Sequence, residues 1–279
     1  MSMKRWGTGL VIGLVLLAFP WTSQGQTEES ARRFPIVVND KWGYIGQTGA
    51  IVIKPQFDWV MDFSEGLAPV RVGGATGGRW GYISQTGEVV IPPQFAVAEE
   101  FSEGLASVTV IGGKDGYIDS TGKIIIEPQF DLTFPFSEGL AAVAVTSGVQ
   151  KEGYIDKTGT FVIELPPGSL HDASSFSEGL AVIMLDQERE KFGYIGRTGA
   201  VVIKPRFEVA GRFSEGLAAV GNTTFGGLYA SAKIGYIDNT GQFVITPRFG
   251  MLSELSDFSD GLALACHGPS EGQCSYIDQ

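Results

Sequence analysis

The sequence predicts an all-β protein built as a tandem array of short antiparallel strands, and three observations predict it. The phrase Phe-Ser-Glu-Gly-Leu-Ala begins at Phe63, Phe101, Phe136, Phe176 and Phe213, and returns as Phe-Ser-Asp-Gly-Leu-Ala at Phe258. Gly-Tyr-Ile recurs at Gly43, Gly81, Gly116, Gly153, Gly193 and Gly235, with a last Ser-Tyr-Ile at Ser275, and successive copies lie 35 to 42 residues apart. No unit carries a sustained helical period. A period of this length marks one supersecondary unit repeated, each copy unable to bury its apolar face without its neighbours.

The chain opens with a different kind of segment. Lys4 and Arg5 precede an apolar stretch from Gly9 to Phe19, and Ser23-Gln24-Gly25 gives a small-x-small pattern before Gln26. Residues 1–25 therefore read as a signal peptide. The apolar run falls short of the roughly 20 residues a membrane span needs, which favours a cleaved leader over an anchor. No cysteine lies near the cleavage point, so a lipid anchor is not indicated. The expected location is periplasmic or extracellular. Residues 26–33 read as a flexible polar arm, and 34–279 as one domain of six full repeats and a partial seventh.

The 279 residues carry 20 basic and 31 acidic side chains, a formal charge of −11. Loss of the leader removes two basic residues and leaves −13. Such a surface is repelled by phosphate backbones and anionic lipid, so neither nucleic acid nor a membrane surface is an expected partner.

Within a unit each element has a local cause. Tyr44 and Ile45 favour a strand, and Thr48-Gly49 a turn, with Gly supplying positive φ. Three apolar residues follow, Ile51-Val52-Ile53, repeated as Val89-Val90-Ile91, Ile124-Ile125-Ile126, Phe161-Val162-Ile163, Val201-Val202-Ile203 and Phe243-Val244-Ile245. An unbroken apolar run implies a strand covered on both faces. Pro55 is expected to stop that strand. Ser64-Glu65-Gly66-Leu67 reads as a β-turn, and Ala68, Val70 and Val72 then alternate along a second strand. The glycine before each Tyr is unusual inside a strand and signals a bulge or a close backbone approach.

Trp42-Gly43-Tyr44-Ile45, Thr48-Gly49, Ile53-Lys54-Pro55, Phe57 and Phe63-Ser64-Glu65-Gly66-Leu67-Ala68, taken in register, resemble the WG-containing repeat family over about residues 34–279. The resemblance implies a bacterial, often exported repeat protein, and it brings no catalytic residues. The Trp of the signature stands only at Trp42 and Trp80.

Neither end of the array shows a polar cap, which an open solenoid requires. A propeller-like closed toroid is therefore favoured over an open β-solenoid.

Few residues suggest chemistry. Gly268-Pro269-Ser270-Glu271-Gly272 fits the serine-hydrolase elbow, with His267 nearby, but that motif acts where a strand turns into a helix, and no helix is expected. His171 and His267 are the only histidines, too few for a histidine metal site. Cys266 and Cys274, the only cysteines, flank a short hairpin loop and in an exported protein read as a disulfide. The rival, a metal or redox pair, lacks Cys-x-x-Cys spacing. Glu65, Glu103, Glu138, Glu178, Glu215 and Asp260 form either a cation-attracting girdle or acceptors of N–H bonds within their own turns, and the second is preferred. Asp119, Asp156, Asp238 and Asp278 are expected to make Asx turns. In the fourth unit the prolines shift to Pro166-Pro167, and Gly168–Asp172 is expected as an exposed irregular loop. The expected function is a non-catalytic exported scaffold, with no cofactor, that binds a protein or cell-envelope component. A glycan-binding module using Trp59 and Tyr229 is the alternative, and a Ser270 hydrolase the least favoured reading. The small-molecule ligand, if any, is left open.

Overall fold

The computed structural model describes residues 32–74, 77–170, 175–186, 191–224, 231–250, 257–266 and 274–279. The segments expected as signal peptide and, for the most part, as arm lie outside them, as do His171, Tyr229, His267 and Ser270. The described residues hold strands and turns and no helix.

The chain folds as antiparallel meanders stacked in chain order. The second layer shows the full pattern: a short strand Trp59–Val60, then Leu67–Val72, Arg79–Ser84 and an outer strand Val89–Phe95, each paired with the next. The first and fifth layers have three strands, and the third and fourth have four. The sixth layer runs from Val209 to Gly250. The final hairpin, Leu262–Cys266 with Cys274–Asp278, joins it through one register pair, Gly250 opposite Cys266, and packs as a seventh layer.

Six apolar cores lie between successive layers. Alternation along the strands dictates their composition. In the second layer Leu67, Tyr82, Ile91 and Phe95 face the third layer, while Ala68, Val70 and Ile83 face the first. Each layer thus has a Tyr face and an Ile face, and the Tyr face of one meets the Ile face of the next. The tyrosines of the first six layers, Tyr44 to Tyr236, are at most 2 % exposed, and each ring sits 4.8–5.0 Å from the Phe of the turn that follows, as in Tyr44–Phe63 and Tyr82–Phe101. Such aromatic pairs add to the area term. The buried hydroxyls find acceptors: Tyr82 Oη donates to the Glu99 carbonyl at 2.7 Å and Tyr117 Oη to Phe134 at 2.8 Å. Burial pushes the pKa of both phenols upward, which keeps the donating proton in place.

Two expectations for the outer strand are corrected. Pro55 does not end it; the strand runs from Ile51 through to Phe57. Trp42 opposes Phe57 and Tyr44 opposes Ile53, so Gly43 alone faces the three residues from Lys54 to Gln56 across a bulge that takes up the proline. The bulge lies on Gly43, where a Cβ would come 2.4 Å from the Ile53 carbonyl oxygen and 2.6 Å from Pro55 N. This is the close approach that the glycine signalled. Nor is the apolar triplet covered on both faces: Ile51 is 54 % and Val52 42 % exposed, and Ile53 alone is buried. Only the third residue is reached by the next layer. The Thr-Gly turn of that layer rests on it, and a Cβ at Gly87 would stand 3.2 Å from the Ile53 side chain.

Candidate functional site

The turns Phe-Ser-Glu-Gly-Leu-Ala form the most regular polar system in the molecule. Ser64 and Leu67 exchange backbone hydrogen bonds of 2.9 and 3.0 Å across Glu65-Gly66, and both central residues have positive φ, 51° and 85°. This is the two-residue turn whose twist suits a hairpin. All six acidic residues of the series occupy this left-handed region, at φ 51–54°. Placing a non-glycine residue there costs about 1–2 kcal/mol, so something must hold it.

The holding contact lies in the next layer, which corrects the expectation of own-turn acceptors. Glu65 accepts from Gly104 N at 2.9 Å, Glu103 from Gly139 N at 2.9 Å, and Glu138 from Gly179 N at 3.0 Å. Glu178 accepts from Gly216 N and Glu215 from Gly261 N, both at 2.9 Å. Beside each carboxylate a serine reaches forward as well. Ser102 Oγ donates to the Phe136 carbonyl at 2.7 Å and Ser137 Oγ to that of Phe176 at 2.6 Å. The glutamates are therefore latches between layers. Among the described residues no group of three or more potential metal ligands converges.

The aspartates after Gly-Tyr-Ile behave as expected where a turn follows. Asp119 Oδ1 accepts from Thr121 N, Thr121 Oγ1 and Lys123 N at 2.6–3.1 Å, and Asp156 and Asp238 repeat the pattern. The threonine hydroxyl, first, and the backbone N–H groups lower the pKa of all three carboxyls.

The fourth layer departs from the pattern. Glu152 fills the place that Trp80 holds in the second layer, and it is buried. Its carboxylate accepts from Gly168 N at 2.6 Å and from Leu170 N. Ser169, expected on an exposed loop, is fully buried; its Oγ donates to the Pro166 carbonyl, and the Ser169 carbonyl accepts from Met184 N. The correction has a physical reason: a segment that lacks the usual Phe is tied inward by the buried carboxylate and by the edge of the fifth layer. Beside it opens a cavity of about 410 Å³ lined by Leu132, Val145, Gln150, Lys151, Glu152 and Leu170, among others. Lys151 at its lip pairs with Glu164 at 2.7 Å and lies over the Phe161 ring. The described lining offers apolar surface and committed polar groups, and it sets no nucleophile beside a base.

The remaining sequence candidates separate. Residues 266 and 274 face each other directly in the register of the last hairpin. Trp59 is half exposed and packs at 5.2 Å, tilted, against Trp42. Its counterparts on the third and fourth layers are Val97 and Leu132, so the described residues hold no row of rings there. Sequence reasoning missed the outer rim. Six outer strands each expose one or two large apolar side chains, from Ile51 and Val52 to Phe243 and Val244. Read as core in the sequence, this triplet is two-thirds surface.

A stack of β-meanders latched turn to turn defines a layered repeat protein of the all-β class. The WG containing repeat matches residues 42–74, 80–114, 116–145, 153–187, 192–222 and 234–268, and the chain belongs to that family. No curated protein matches the chain. Among solved structures, the chain is similar to a eukaryotic initiation factor at TM-score 0.52 and 10 % identity, over 79 % of this chain and 65 % of that one. It is also similar to the computationally designed Ika8 protein at TM-score 0.40 and 13 % identity, over 89 % and 96 %. BamB from Moraxella catarrhalis gives 0.40 and 12 %, over 83 % and 90 %. At these identities the first likeness speaks for the fold alone.

Proposed function

We propose that this protein is a non-catalytic, exported scaffold that binds a protein partner along its outer rim. The observation that carries the reading is the set of exposed apolar residues on the outer strands: Ile51, Val52, Val89, Val90, Ile124, Ile125, Val162, Val201, Val202, Phe243 and Val244. Layers packed face to face lie about 10 Å apart, so the residues recur as a rim rather than as scattered points. Extended exposed apolar surface of this kind marks interaction sites. Membership of a repeat family supports the scaffold reading, because an array presents one surface many times. Export rests on the leader-like first 25 residues. The toroid favoured from the sequence would cover the outer faces of the first and seventh layers, and the exposure of Phe34 and Tyr276 on those faces supports an open array instead.

The test is capture from the native envelope with wild type and with a rim variant, Val52→Lys, Val90→Lys and Val202→Lys combined. These side chains face solvent, so the variant is expected to keep its fold and to lose the captured partner. Capture indifferent to the rim sinks the proposal. N-terminal sequencing of protein from its own compartment should begin at Gln26. Fluorophosphonate labelling of Ser270 would overturn the non-catalytic part.

A further inference from the structure

The two ends of the array carry the unmatched halves of the interface that recurs inside it. On the seventh layer the Tyr face is open: Leu262 is 44 % and Tyr276 71 % exposed, while their inner counterparts Leu217 and Tyr236 are buried. On the first layer the Ile face is open. Phe34 is 43 % exposed and Ile36 and Ile45 half-buried, whereas their counterparts Ala68, Val70 and Ile83 are at most 1 % exposed.

We propose that these end faces mate in trans, so that copies of this chain associate head to tail through the contact that already joins successive layers. Three features support a second copy as the occupant. The contact is a continuation of an interface the chain makes six times. The volumes compensate: among the described residues the seventh layer is a single hairpin without the Ile and Phe that complete the usual Tyr face, and the first layer carries Phe34 where the second carries Ala68. The charges also match. Among the described residues, Ser259 and Asp260 end the latch series with no following turn to bond. By register with Gly66, Arg32 holds a position in the turn that such a latch would reach, so an aspartate on one end meets an arginine on the other. The contact pairs two different surfaces, so it does not close as a dimer and builds longer assemblies with concentration.

The experiment is sedimentation velocity on the purified protein and on Phe34→Glu and Tyr276→Glu, with circular dichroism as the check on folding. Both side chains are exposed, so both variants are expected to fold. Wild type should gain mass as concentration rises, and each variant alone should stay a monomer. An equal mixture should form a dimer and nothing larger, because each variant retains the end that the other has lost. Wild type that remains monomeric at every concentration overturns the proposal, whether its ends meet each other or await another partner. A single variant that still associates, or a mixture that does not, overturns it as well.

Discussion

The second and fourth layers fill one slot with opposite chemistry. In the second, Trp80 stands before Gly81 and opposes Phe95, so the slot is an apolar pair in the core between layers. In the fourth, Glu152 stands before Gly153 and the outer strand ends at Leu165. The bulge is gone, since Glu152, Gly153 and Tyr154 pair in unbroken register with Leu165, Glu164 and Ile163. A carboxylate gripping two loop amides replaces the ring. The comparison teaches that the unit needs the slot filled and satisfied, by apolar area or by complete hydrogen bonding. The glycine is common to both. A Cβ at Gly81 would stand 2.4 Å from the Ile91 carbonyl oxygen, and one at Gly153 would stand 2.0 Å from that of Ile163.

The strongest test of that shared glycine is its removal. Gly81→Ala and Gly153→Ala should each destabilise by about 3 kcal/mol or more, measured by denaturant unfolding, because backbone atoms must move. Tolerance of Gly153→Ala alone would show that the bulge, rather than the close approach, demands glycine. Next come the fillers. Trp80→Ala should cost about 3–5 kcal/mol through the void it leaves. Glu152→Ala should cost about 2–3 kcal/mol by stranding two amides, and Glu152→Gln, which retains an acceptor, should cost less. Equal losses for Gln and Ala would mean that the carboxylate does not hold the loop.

The seventh layer extends the comparison to a layer held by one hairpin. A Cys266–Cys274 bond should leave the peptide carrying both residues two protons light, and its reduction should cost about 2–3 kcal/mol. Two free thiols in protein taken from its own compartment would count against it. The latches rank below. Glu178→Ala should cost about 1–2 kcal/mol, since it loses the hydrogen bond to Gly216 and leaves a side chain at positive φ. Glu178→Gly loses the bond and relieves the backbone, so it should lie near neutral; equal costs would show that φ is not the burden. The smallest effect is in acid. Asp119, Asp156 and Asp238 have lowered pKa values when folded, so they bind fewer protons folded than unfolded. Their contribution is full above the ordinary carboxylate pKa of about 4 and is lost as pH falls through the folded values. The corresponding turns at Gly46 and Gly196 have no such group. The thermal midpoint below pH 4 should therefore drop less steeply in Asp119→Asn than in wild type.

Spacing and composition alone determined that the chain is an all-β array, where its turns lie, and that the glycine before Tyr in six copies marks a bulge or a close backbone approach. They did so because turns and close approaches act over a few residues, and because six copies reveal which positions are constrained. Three features were decided between layers. The reach of each glutamate into the next turn depends on a partner 36 to 46 residues away. The exposure of Ile51 and Val52 beside a buried Ile53 depends on how far the neighbouring layer extends. The inward path of Ser169 depends on a buried carboxylate that reads, in the sequence, as one more polar residue in place of a Trp. In each case the local residues are compatible with several outcomes, and the packed neighbour selects one.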